Sequence, residues 1–129
     1  MPQDIRDRTF EFGVRVVKMS EQLPNTKAGK VLGNQVLRSG TSVGANVEEA
    51  VAAFSTEDYI FKMNTALKEA RETHYWMRMI KAAELLKPTR LDAIINEAEE
   101  IKKILGAIVS KLKKNQKTKK RNNQEHDED

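Results

Sequence analysis

Gln35, Ser39, Ser42, Asn46 and Glu49 recur at spacings of 4, 3, 4 and 3, the interval that lines side chains along one strip of an α-helix. Their chemistry is that of hydrogen bonding through amide, hydroxyl and carboxylate groups. No serine in the chain is matched to a plausible base, so the strip is read as a structural polar network and not as a nucleophilic site. Glu48, Glu49, Glu69, Glu72 and His74 are the residue types from which helical bundles build paired metal sites. Such sites need Glu-x-x-His, and no glutamate stands three residues before His74 or His126. Gly29-Lys30 is not the end of a phosphate-binding loop, because that pattern requires glycine where Pro24 stands. We assign no catalytic residue, metal or cofactor, and expect a protein that is not an enzyme.

The remaining chemistry is cationic. Lys27, Lys30, Asn34 and Arg38 fall on one helical stripe, and no acid occurs between Gln22 and Val47. A second concentration comprises Lys111, Lys113, Lys114, Lys117, Lys119, Lys120 and Arg121, followed by Glu125, Asp127, Glu128 and Asp129. The net charge of +4 is therefore uneven, with 16 Lys and Arg against 15 Asp and Glu up to residue 110, and 7 against 4 beyond it. The plain readings are a solvated helix face and a solubilising tail; the sharper one is attraction of nucleic acid through phosphate. With no aromatic residue in the tail, that attraction implies little base stacking and marked salt dependence.

Four helices would position these groups. The first is expected from about Asp4 to Leu23, with Phe10, Gly13, Val17, Ser20 and Leu23 inward and Pro24 ending it. The second starts at an N-cap on Thr26. Gly29, Gly33, Gly40 and Gly44 each cost it about 1 kcal/mol relative to alanine. The apolar line Leu32, Val36, Val43, Val47 and Ala50 nevertheless keeps phase across Gly40, which predicts one long helix with a side-chain-free groove for a neighbouring backbone. Ser55-Thr56-Glu57-Asp58 opens a third helix by a capping box, expected to reach about Leu86 with Ile60, Met63, Leu67, Ala70, Met77 and Ile80 inward. His74 is in phase with that line and is expected to be a hydrogen-bonded interior or interface residue. Tyr75, Trp76 and Met79 lie off it, a surplus of apolar surface that predicts an oligomer interface.

Thr89-Arg90-Leu91-Asp92 offers a further capping box, followed by Leu91, Ile94, Ala98, Ile101, Leu105, Ile108 and Leu112 at unbroken 3-4 spacing. The fold class is all-α, an antiparallel up-and-down four-helix bundle over residues 1–113, with 114–129 expected as a disordered tail, basic and then acidic. No cysteine permits a disulfide or thiolate site. No secretory leader or membrane span is legible, which predicts a cytoplasmic chain without membrane partners.

Gln35-Val36-Leu37-Arg38-Ser39 through Asn46-Val47-Glu48-Glu49-Ala50, together with Ala66-Leu67-Lys68-Glu69-Ala70-Arg71-Glu72-Thr73 leading into Tyr75-Trp76, resemble the four-helix-bundle proteins encoded within intervening sequences of bacterial 23S ribosomal RNA genes. The resemblance covers roughly residues 5–112. It implies a ring-like homopentamer, and carries the family's polar positions onto Arg38, Asn46, Glu49 and Glu72. Accessory proteins of diversity-generating retroelements, which work with a reverse transcriptase and its RNA, are more distantly similar. Two functions follow as expectations. One is a non-catalytic, homo-oligomeric binder of structured RNA or DNA, acting through Lys27, Lys30, Arg38 and the tail cations. The other is a structural hub that binds another protein and needs none of those charges.

Overall fold

Local capping decides where the chain turns. The structure, a computed structural model, describes residues 4–127. Asp4 caps α1 (Ile5–Ser20), its carboxylate accepting from the Arg6 amide at 2.9 Å. Thr26 caps α2 (Lys27–Val51) by accepting from Gly29 N–H at 3.1 Å, and Ser55 caps α3 (Thr56–Ala82) by accepting from Asp58 N–H at 3.1 Å. Each satisfies an amide that the first helical turn leaves without a partner. α3 stops at Ala82, short of the expected Leu86, because Glu84 turns into the left-handed region at φ 59°. Leu85 N–H then returns to Ile80 O and Glu84 N–H to Lys81 O, a closure that satisfies the last carbonyls and drops Leu85 and Leu86 onto the core. α4 (Pro88–Asp127) begins with proline as its first residue, where a missing N–H costs nothing. Thr89 is consequently inside the helix and is not the cap that its spacing to Asp92 suggested.

The four helices pack in a closed cycle, α1 on α2, α2 on α3, α3 on α4 and α4 on α1. Lys81 pairs with Asp92 and His74 with Glu99, so contacts step down α4 as they step up α3. Arg8 meets Glu97 while Arg90 meets Gln22, which sets α1 antiparallel to α4 in the same way. The expected antiparallel bundle is what forms, and all described secondary structure is helical. Ile60, Met63, Leu67, Ala70, Met77 and Ile80 are buried as their spacing required, as are Leu91, Ile94, Ala98, Ile101 and Leu105. α2 runs unbroken through its glycines. A β-carbon at Gly40 would lie 2.6 Å from Val16 Cγ1, and one at Gly44 would lie 3.1 Å from the Thr9 carbonyl. Helix α1 occupies the groove those glycines leave.

Two expectations are corrected. The inward face of α1 is Thr9, Phe12, Val16 and Met19, whereas Phe10 is 67% and Val17 40% exposed. α1 carries two apolar stripes of the same period, and only the contact with Gly40 and Gly44 selects between them. Residues 114–127, expected to lack regular structure, continue α4 as helix to Asp127; Lys, Gln and Arg are good helix formers, and extending a helix that packing has already nucleated is far easier than starting one.

Candidate nucleic-acid interface

The structure separates the two expected cationic clusters. Lys27 and Lys30 are exposed in the first turn of α2, at the end of the bundle where α4 begins. Lys111, Lys113, Lys114, Lys117, Lys119, Lys120 and Arg121 are exposed at the opposite end, about 35 Å away over the 25 residues of α2. Arg38 is tied down between them. It donates to Glu72 and, at 3.4 Å and 3.3 Å, to Glu69 and Gln35, while Trp76 Nε1 donates to the same Glu72 oxygen at 3.1 Å. Arg38 thus acts as a brace between α2 and α3.

The polar strip resolves into short pieces. The Ser39 and Thr73 hydroxyls are buried and 2.9 Å apart, joining α2 to α3. Ser42 donates to Arg38 O at 2.7 Å and Asn46 to Ser42 O at 2.8 Å, so these two bond along their own helix and not across to another. Glu49 is exposed and enters none of the ion pairs among the described residues. Within one chain, α2 and α3 are linked by Arg38 with Glu69 and Glu72 and by the Ser39–Thr73 pair. Trp76 and Met79 are half-covered by their own chain and Tyr75 is 46% exposed.

At 100° per residue, Lys113, Lys114, Lys117, Lys120 and Arg121 fall within an arc of about 120° on α4. Leu112 and Gln116 lie outside that arc, beside Thr56 and Glu57 of α3. The continuation of the helix gathers five of the seven cations on one side, with Lys111 and Lys119 on other faces and Lys120 at the edge that adjoins Thr56 and Glu57. The same arc carries Lys102, Lys103 and Gly106 further back, where they meet Arg71, His74, Tyr75 and Arg78 of α3 around an open cleft of about 510 Å³. Sequence reasoning missed this cleft. Its signal was the 3-1-3 spacing of Arg71, His74, Tyr75 and Arg78, but the other wall comes from a helix whose register only the fold supplies.

His74 sits at the cleft with its side chain 12% exposed and Nε2 3.1 Å from Glu99 Oε2. Burial holds its pKa below the usual 6.5, Lys102 and Arg78 act in the same direction, and Glu99 opposes them. Glu99 is itself held below its usual range, chiefly by its hydrogen bond from Lys102. A folded state that prefers neutral imidazole contributes full stability above pH 6.5 and loses it as pH falls below that value and the unfolded chain takes up the proton first. Urea midpoints measured at about pH 7.5 and about pH 5.5 will show this loss, and His74→Gln will reduce it; the Glu99 contribution changes only in more acidic solution.

The described residues form a four-helix bundle, and no group of His, Cys, Asp or Glu among them could hold a metal ion. The chain belongs to the 23S rRNA-intervening sequence protein family, whose model matches residues 2–107. It is also similar to a crystal structure of a protein of unknown function from the S23 ribosomal protein family of Bacteroides thetaiotaomicron. Identity is 42%, coverage is 82% of this chain and 98% of that one, and the TM-score is 0.77. No curated protein matches. The cations from Lys111 onward lie beyond the family match. No described helix is long and apolar enough to cross a membrane.

Proposed function

We propose that this chain is a non-catalytic, homo-oligomeric protein that binds structured RNA through phosphate. The observation that carries this is the one-sided stripe of Lys113, Lys114, Lys117, Lys120 and Arg121 on exposed helix. Holding the cations on a helix removes much of the ordering cost that a disordered arm pays on binding. Closing several copies into a ring, five in the arrangement that the family resemblance implies, would multiply the stripe and make a weak contact strong. A family named for intervening sequences of 23S rRNA makes folded RNA the first ligand to try, with duplex DNA as the comparison. Filter retention of a labelled RNA hairpin at low and moderate salt tests the reading; retention that is absent at low salt, or insensitive to salt, refutes it.

A second reading is favoured by the outward apolar stripe of α1. Phe10, Gly13, Val14 and Val17 line an open groove of about 330 Å³ with Thr41, Gly44 and Ala45 of α2, a surface suited to another protein or to a second copy. In this reading, deleting residues 114–129 leaves partner binding intact. Light scattering of the full chain is expected to give a multiple of 14.7 kDa at micromolar concentration, and Val14→Glu to lower it. A wild-type mass of one chain refutes assembly, and an unchanged mass for Val14→Glu places the interface elsewhere, with Tyr75, Trp76 and Met79 next to be tested.

A further inference from the structure

We propose that the α3–α4 cleft is a separate binding site for an unpaired nucleotide of the same RNA, which takes the phosphate between Arg71, Lys102 and Lys103 and stacks the base on Tyr75 and Arg78. This rests on the RNA-binding reading above and adds to it a site with a different ligand preference. The cleft of about 510 Å³ falls inside the roughly 300–1,000 Å³ range of clefts that hold small ligands. Four fixed cations, Arg71, Arg78, Lys102 and Lys103, line it. The nearest acid, Glu99, is shared among Lys102 at 2.8 Å, Lys103 at 3.9 Å and His74 at 3.1 Å. One carboxylate cannot neutralise that set, and neither Arg71 nor Arg78 enters an ion pair among the described residues.

An ordinary surface of surplus cations would offer no platform for a base. Here Tyr75 is 46% exposed and is held at one edge by Trp76, with ring centroids 5.1 Å apart at 78°. Arg78 lies 5.9 Å above its ring. An aromatic ring and a guanidinium together form the kind of surface on which unpaired RNA bases stack. Gly106 lines the opposite side, and a β-carbon there would meet only Leu67 Cδ1, at 4.0 Å, so the cleft is open where a base would enter. A paired duplex keeps its bases inside the stack and presents only phosphate, which the outer stripe of α4 already meets. Because Lys102 and Lys103 share the arc of Lys113 to Arg121, one strand can follow α4 from the stripe into the cleft.

Fluorescence anisotropy with full-length protein and two probes, labelled hexaadenylate and a blunt RNA duplex of one helical turn, tests this. Tyr75→Ala is expected to weaken hexaadenylate binding about tenfold, with duplex binding changed less than about twofold; Tyr75→Phe should restore it. Gly106→Leu keeps every charge and improves helix propensity, yet it should weaken hexaadenylate to a similar degree by filling the cleft. If both variants bind hexaadenylate like wild type while glutamine substitution of the outer stripe weakens both probes, the cleft proposal is wrong and the RNA-binding reading stands. Equal losses for both probes in Tyr75→Ala and Gly106→Leu also overturn the cleft as an unpaired-nucleotide site. If wild type binds neither probe at low salt, both proposals fall.

Discussion

Full-length protein carrying glutamine at Lys113, Lys114, Lys117, Lys120 and Arg121 is expected to bind an RNA hairpin roughly a hundredfold more weakly than wild type at low salt, and to lose most of its salt dependence. Each cation in contact with phosphate contributes about 0.7 to 0.9 to the slope of log affinity against log salt, so five contacts give a slope of about −4 for one chain. Over a fourfold increase in salt, that slope corresponds to a loss of about two orders of magnitude. Glutamine is a good helix former and these side chains are exposed, so the helix and the core beneath it should persist and the melting temperature should barely move. Lys27→Gln and Lys30→Gln, at the other end of the bundle, should weaken the same hairpin only slightly. If the two ends contribute equally, the stripe is not the main site. If none of the charges matters, the hub reading takes precedence and the α1–α2 groove becomes the surface to test.

What the sequence showed of this arrangement depended on whether a single helix or two helices carried the information. The 3-4 repeat from Leu91 to Leu112 and the line from Ile60 to Ile80 were legible because each needs only its own period, and every residue named on them is buried except Ile108 and Leu112, which are partly covered. The face of α1 was not legible. Phe10, Val14 and Val17 repeat with the same period as Phe12, Val16 and Met19, and the choice between them is made on another helix, where Gly40 and Gly44 admit α1 with Val16 and Thr9 inward. The tail cations are visible as a run, and their lack of apolar neighbours predicts a lack of structure, whereas helix α4 extends through them. The cleft was invisible for the same reason as the α1 face. Arg71, Tyr75 and Arg78 lie some thirty residues from Lys102 and Lys103, and only the antiparallel register of α3 and α4 brings them to one opening.

Gly29→Ala is expected to destabilise the fold by about 2 kcal/mol, while the same substitution at Gly106 should stabilise it by up to about 1 kcal/mol. Both glycines are helical and alanine is the better helix former by about 1 kcal/mol at an interior position, so propensity alone predicts a gain at each. Their surroundings differ. A β-carbon at Gly29 would fall 2.0 Å from Pro24 O and 3.1 Å from Pro24 C, atoms of a backbone that cannot rotate away as a side chain can. It would also lie 3.2 Å from Thr26 Oγ1, the atom that accepts the Gly29 amide, so relieving the clash disturbs the cap, itself worth about 1 kcal/mol. Overpacking of this kind costs about 1–3 kcal/mol, and the sum exceeds what propensity returns. At Gly106 the only close atom is the end of a leucine side chain at 4.0 Å, an ordinary contact. Thermal melts of the two variants in the same buffer should move in opposite directions, with Gly29→Ala lower by about 7 °C for a chain of this length. Melting of Gly29→Ala at or above the wild-type temperature would mean that the α1–α2 turn has room that this structure does not give it.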